Sequence, residues 1–258
     1  MMEARTRPFF SVFRAEVLKG RRGAPRKVAL IAPLPFCALG VLSSGVLQGT
    51  GAVGGIATSM WNYWMALMLP IAVALICASV ANLDGRQKLR PVLGLPLPPA
   101  RTWWAKVACA LALVLGANLV ILAVSTVLTA LGASGPSFFE GLAAALIATA
   151  GCAWMVPASL ALTLRLGTLA GIAIPALLQV GMAIALWTSG AWFAFPPATT
   201  LCAVAPFLGV APSGVPLEAG DPLGVFGGDA VLGIAVALAL FAALAILGAA
   251  WFSKREAA

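Results

Sequence analysis

The sequence predicts an all-α integral membrane protein: six transmembrane helices, an N-terminal amphipathic helix, and re-entrant or interfacial helices between the fifth and sixth spans. Three observations carry this prediction. Of 258 residues, 62% are hydrophobic and only 9% charged, against about 25% charged in soluble domains. The surplus of Ala, Leu, Val and Gly falls in runs long enough to cross a bilayer, about 20 residues each. Lysine and arginine gather between some of these runs and are missing between others.

The whole chain, 1–258, reads as one membrane domain. Residues 1–27 are basic, with Arg5, Arg7, Arg14, Lys19, Arg21, Arg22, Arg26 and Lys27. Within them Phe9, Phe13 and Val17 recur at i, i+4, i+8 with Phe10 alongside, Pro8 suits a first helical position and Gly20 a stop. This predicts a short amphipathic helix lying on the membrane surface. A segment ahead of a secretory signal is the alternative, but no clear small-x-small cleavage site ends the next run. That run, 28–47, is the first span.

Residues 48–60 are Gly-rich and uncharged, a loop. The second span, 61–81, opens on Trp61, Asn62, Tyr63 and Trp64, an aromatic cluster suited to the headgroup level. Residues 82–102 carry Asp84, Arg86, Lys88, Arg90 and Arg101 among four prolines, and cannot rest in hydrocarbon. Trp103 and Trp104 mark the next interface and open the third span, 103–131. After a tight turn at 132–137 the fourth span covers 138–164, with Glu140 near its start and Pro157 near its end. Arg165 to Gly167 make a very short turn. The fifth span, 168–189, contains Pro175. Residues 190–228 hold six prolines yet are apolar over 193–210, which fits shallow re-entrant helices better than a solvated loop. The sixth span is 229–252.

Orientation follows from the cations. Eight lie in the N-terminal segment, five between the second and third spans (counting Lys106), one is Arg165 and two are in the tail; 48–60, 132–137 and 190–228 hold none. The positive-inside rule then puts both termini and 82–102 in the cytoplasm of a multi-pass bacterial cell-membrane protein, with Glu218, Asp221 and Asp229 outside. The net charge of +8 reports orientation and attraction to anionic lipid, not nucleic acid.

Several chemistries lack their residues. Histidine is absent and Tyr63 is the one tyrosine, which removes the commonest general base and metal ligand. There is no GxxxxGK[ST], GxSxG or HExxH, and no close pair of Asp on one helix face. The expectation is no catalytic, cofactor or metal site in this chain. Cys37, Cys77, Cys109 and Cys152 lie in apolar runs and Cys202 in an apolar loop, without CxxC spacing. They read as small hydrophobes, with a disulfide as the alternative.

Polar residues within spans are costly in lipid. Arg165, Asn62 and Glu140 lie near span ends and reach the interface, whereas Asn118 and Gln179 lie deeper. Asn62, Asn118 and Gln179 are candidates to line a cavity; the competing reading is an interhelical hydrogen bond, typically about 0.6 kcal/mol. Small residues recur at Gly141, Ala145, Ala148 and Gly151, and at Gly233, Ala237, Ala239 and Ala243, where they would allow close helix approach. The run from Lys88 to Leu97 alternates charged and aliphatic residues, with Pro91 to start a helical turn and Gly94 and Pro96 to stop it. A stubby helix exposing Leu89, Val92, Leu93 and Leu95 either seeks a groove on a partner or lies on lipid.

These features together resemble ABC-2-type permease subunits, in particular the lantibiotic-immunity permeases. The resemblance covers nearly the whole chain. It rests on Glu16-Val17-Leu18-Lys19 before the first span, Trp61-Asn62-Tyr63-Trp64 heading the second, Leu93-Gly94-Leu95-Pro96 followed by Arg101, Trp103 and Lys106 ahead of the third, and six spans with a re-entrant region before the last. It implies an N-terminal elbow helix bearing Phe9, Phe10, Phe13 and Val17. It also implies a coupling helix over Gln87, Lys88, Leu89, Arg90, Val92, Leu93 and Leu95 that docks on a separate ATP-binding subunit, where ATP and Mg would bind. A second permease chain, alike or different, and a hydrophobic peptide cargo expelled for self-immunity are further implications. Many relatives carry glutamates just after the second span, where this chain has Asn82, Asp84 and Gly85. Exporters of a drug, lipid or glycan share the same features, and a non-transport membrane assembly factor is the alternative of another class.

Overall fold

A computed structural model describes residues 9–21, 23–38, 56–85 and 98–254. Their regular structure is helical, with one isolated antiparallel bridge between Val210 and Pro216. The helices are α1 (Phe9–Lys19), α2 (Ala24–Ile31), α3 (Ile56–Tyr63), α4 (Leu69–Gly85), α5 (Pro99–Ala130), α6 (Phe138–Gly151), α7 (Met155–Leu166), α8 (Thr168–Leu186), α9 (Pro196–Cys202), α10 (Ala205–Leu208) and α11 (Gly228–Ser253). A π-helical turn, Trp64–Met68, joins α3 to α4. Pro70 follows it and has no amide hydrogen for the helical ladder, a natural place for the ladder to slip.

Four helices are long and apolar enough to cross a membrane: Met60–Asp84, Pro99–Ala130, Thr168–Leu186 and Gly228–Ser253. The pair α6 and α7 makes a fifth if its 42° bend lies within one span. The break precedes Pro157, which cannot donate to the carbonyl of Ala153 and whose ring would crowd it. As the third residue of α7, Pro157 instead occupies a first-turn position where an amide donor is not required. The fourth expected span is therefore two helices. Helix also continues past both hydropathy edges of the charged segment: α4 runs to Gly85 and α5 starts at Pro99, so Asn82 and Thr102 are helical.

The chain rises beside α4 before reaching it. A Cβ on Gly23 would lie 3.5 Å from Leu83, near the end of α4, and Phe36 sits with its ring centroid 6.3 Å from that of Trp64, near the start of that span. Residues 39–55, which include the rest of the expected first span, lie outside the described residues.

Small residues set the spacing inside the bundle. Gly141, Ala145, Ala148 and Gly151 form a buried face of α6. A Cβ on Gly141 would come 2.7 Å from Leu122, and one on Gly151 2.7 Å from Thr200 Oγ1. On α11 the buried seam takes in Gly233 and Ala237 and then continues through Ala245, Gly248 and Ala249; Ala239 and Ala243 are exposed. Four-residue steps, not the two-residue step from 237 to 239, keep one helix face. The opposite faces of α8 and α11 present Leu169, Leu177, Leu178, Val231, Ile246 and Leu247 outward, a surface suited to lipid. In 190–228, all seven residues of α9 are buried, so Cys202 ends a packed helix and does not lie in a loop. All five cysteines are free and buried.

Candidate functional site

Two acids and two lysines meet in one place. Glu16 and Lys19 stand one turn apart on α1, on the face that also buries Val12. Asp84 is the next-to-last residue of α4, and Lys106 lies in the third turn of α5. Lys106 Nζ donates to Glu16 Oε2 at 2.8 Å and to Asp84 Oδ2 at 2.5 Å. Lys19 Nζ donates to Glu16 Oε1 at 2.8 Å and to both Asp84 oxygens at 3.2 Å. Each lysine thus bridges both carboxylates, and the ring of two cations and two anions is neutral. Lys106 is 0% exposed, Glu16 2% and Asp84 3%. Charges so deeply buried are tolerable only when paired and hydrogen-bonded, and removing one partner of such a pair costs about 3–5 kcal/mol. Burial alone would push the Lys19 ammonium down, but the hydrogen bonds and charge of Glu16, with the charge of Asp84, outweigh it and hold its pKa above the usual lysine value.

Other long-range contacts gather at this end. Asn82 Nδ2 donates to Thr168 Oγ1 at 2.9 Å, joining the end of α4 to the start of α8. Arg165 stands over the Trp251 ring at 5.0 Å, near the end of α11. Trp103 Nε1 donates to the Ala245 carbonyl at 2.9 Å, and its ring meets Phe252 at 5.9 Å. Gly248 makes that approach possible, since any Cβ there would collide with Trp103. The α7–α8 turn is reduced to Gly167 at φ 99°, a left-handed conformation open to glycine. The starts of α5 and α8, the ends of α4, α7 and α11, and α1 therefore share one end of the bundle.

Of the expected cavity residues, Asn118 and Gln179 are hydrogen-bonded between helices, and the three lie in separate places. Asn118 Oδ1 accepts from Trp64 Nε1 at 2.8 Å while its Nδ2 donates to Thr149 Oγ1 at 2.9 Å, linking the π-turn, α5 and α6. Gln179 Oε1 accepts from Trp154 Nε1 at 2.9 Å, and its Nε2 donates to Thr200 Oγ1 at 3.2 Å, linking the α6–α7 break, α8 and α9. Asn62 is half-buried at the opposite end, where a Cβ on Gly214 would come 3.0 Å from its Nδ2. Glu140 closes a capping box with Ser137 at the start of α6. On α1, Phe9 and Phe10 are exposed and Phe13 and Val17 half-buried. Gln87, Lys88, Leu89, Arg90, Val92, Leu93 and Leu95 lie outside the described residues. Among the described residues no three His, Cys, Asp or Glu come together as a metal site.

The four-residue ion cluster is what sequence reasoning missed. Two signals pointed to it: the Glu16–Lys19 spacing of one helical turn, and Lys106 standing inside the expected third span, where a charge must find a partner. No protein-family model, curated protein or solved structure matches the chain.

Proposed function

We propose that this chain is the permease subunit of an ATP-binding cassette exporter in a bacterial cell membrane, with both termini cytoplasmic. In this reading it expels a lantibiotic-like antimicrobial peptide for self-immunity. One observation carries the proposal: the buried ion cluster ties α1 to the two helices that flank the charged segment 86–97. Breaking a buried ion pair is costly, so the four ionic groups fix the roots of that segment to α1, and in this reading force enters the chain there. The sequence has no phosphate-binding loop, so energy for moving a hydrophobic molecule out of lipid must come from a partner that binds ATP and Mg. Gln87–Leu95 is the surface proposed to receive it. A second permease chain, itself or a paralogue, completes the pathway. A drug, lipid or glycan cargo would use the same machinery, and sensitivity of a deletion strain to lantibiotics selects among them.

The test is gentle detergent purification of the tagged protein from its host, with mass spectrometry of what accompanies it. A P-loop ATPase and a six-span partner are expected. A lone protein, repeatedly, rejects the exporter in favour of an assembly factor. Leu93→Asp combined with Leu95→Asp is expected to strip the ATPase while leaving membrane insertion intact; unchanged co-purification moves the docking site elsewhere. Thiol labelling of Asp229→Cys is expected from the outer face alone.

A further inference from the structure

We infer that Lys106 is a positioning residue: with Glu16, Asp84 and Lys19 it locks α1 and the two helices flanking segment 86–98 into one rigid joint, so that displacement of those helices is delivered to α1. Only the source of the displacement rests on the proposed function. The joint belongs to the chain by itself.

The geometry sets the direction of the argument. Asp84 and Lys106 stand on opposite sides of the segment, one on each flanking helix, and are bonded directly at 2.5 Å. That bond alone would clamp the two helices. Glu16 and Lys19 extend the clamp to a third piece of chain, and they do so with both charges, one to each flanking helix: Glu16 to Lys106 at 2.8 Å and Lys19 to Asp84 at 3.2 Å. Sliding α1 relative to either helix breaks an ionic bond and leaves a buried charge short of a partner. Apolar packing, in which Val12 is buried and Phe13 and Val17 half-buried, could not do this with the same specificity, because it is non-directional. Elsewhere α1 turns outward, with Phe9, Phe10, Arg14 and Leu18 exposed. This helix packs along α5, and the ion cluster ties it to the end of α4 as well, so that α1 is fixed to both flanking helices at one point.

Hydrogen exchange on the full chain in nanodiscs of phosphatidylethanolamine and phosphatidylglycerol tests this. In Lys106→Met, peptides covering Phe9–Lys19 are expected to exchange about tenfold faster or more, as follows when a buried ion pair loses one member. Peptides from α8 and α11 are expected to stay unchanged, which a general packing role for Lys106 would not allow. Lys106→Arg keeps the charge and is expected to keep α1 protected. Inverting all four signs (Glu16→Lys, Lys19→Glu, Asp84→Lys, Lys106→Glu) is expected to restore most of the protection. If Lys106→Met does not insert, the half-exposed Lys19→Met reads the same joint, with α1 exchange rising a few-fold. Equal α1 protection in wild type and the inserted neutral variant overturns the inference, as does loosening spread evenly over all helices. In the complex with its ATPase, Mg-ATP is expected to change α1 exchange in wild type and not in Lys106→Met. Absence of any ATPase from the wild-type preparation would end the exporter reading, while the exchange result on the chain alone would still decide the joint.

Discussion

The two ends of the bundle use charge differently. At the end that holds α1, acids and bases connect residues 22, 65 and 90 positions apart in sequence. At the other end Glu140 and Asp221 serve their own turns. Glu140 accepts from the backbone of Ser137, and Asp221 accepts from Leu223 two residues on. The ion pairs of Lys19 and Lys106 with Glu16 and Asp84 all lie at the first end. The comparison teaches that burial, not the number of charges, decides whether an ionic group organises tertiary structure. Lys106 has no solvent to retreat to and must hold its partners, whereas exposed Glu140 needs only a cap.

The comparison can be broken or sharpened by substitution. The largest effect is expected from Lys106→Met, which leaves two buried carboxylates sharing Lys19. Stability should fall by about 3–5 kcal/mol, read as a lowered thermal midpoint in fluorescence-detected size exclusion. A loss no greater than that of a surface change would mean the cluster is not what distinguishes this end. Next comes Gln179→Leu between the ends. It removes the acceptor of the buried Trp154 indole, and a stranded buried donor costs about 1–3 kcal/mol, with α1 undisturbed. Smaller again is Glu140→Ala, which opens an exposed capping box but keeps the Ser137 cap and should cost about 0.3–1 kcal/mol, confined to the start of α6. The smallest expected effect is that of alkali on Lys19. Its pKa is raised above 10.5 in the folded chain, so its contribution is complete below the unfolded value and is lost as pH rises through the folded one. Protection of α1 should therefore show no Lys19-linked loss between about pH 7 and 9 and should weaken only beyond 10.5. A Lys19-dependent loss near neutrality would place that ammonium in a different environment.

Much of the helical layout was legible because hydropathy is a property of each window of sequence. The apolar runs after Trp61, Trp103, Thr168 and Asp229 all became long helices. The bend of the fourth run was less so. Pro157 marks a point where the ladder can break, but whether a helix bends there depends on what it leans on, and the α9 residue Thr200 filling the space beside Gly151 is placed by a segment 49 residues away. The small-residue stripe of α11 was half legible for a related reason: an Ala-rich helix offers several candidate seams, and Trp103, approaching Gly248, selects one of them. Asn118 and Gln179 were recognisable as groups needing partners, but their partners Trp64, Thr149, Trp154 and Thr200 come from other helices.

By itself the sequence determined that several runs are apolar enough to cross a bilayer, where its long helices run, and which of its segments carry positive charge. These follow from transfer free energies summed over neighbouring residues. Only the tertiary structure decided that Glu16 and Asp84 converge on Lys106. A carboxylate specifies that it needs a cation once buried, but not which one. That choice is made when α1 packs beside α4 and α5, because electrostatic pairing depends on distance in space and the residues involved are scattered along the chain.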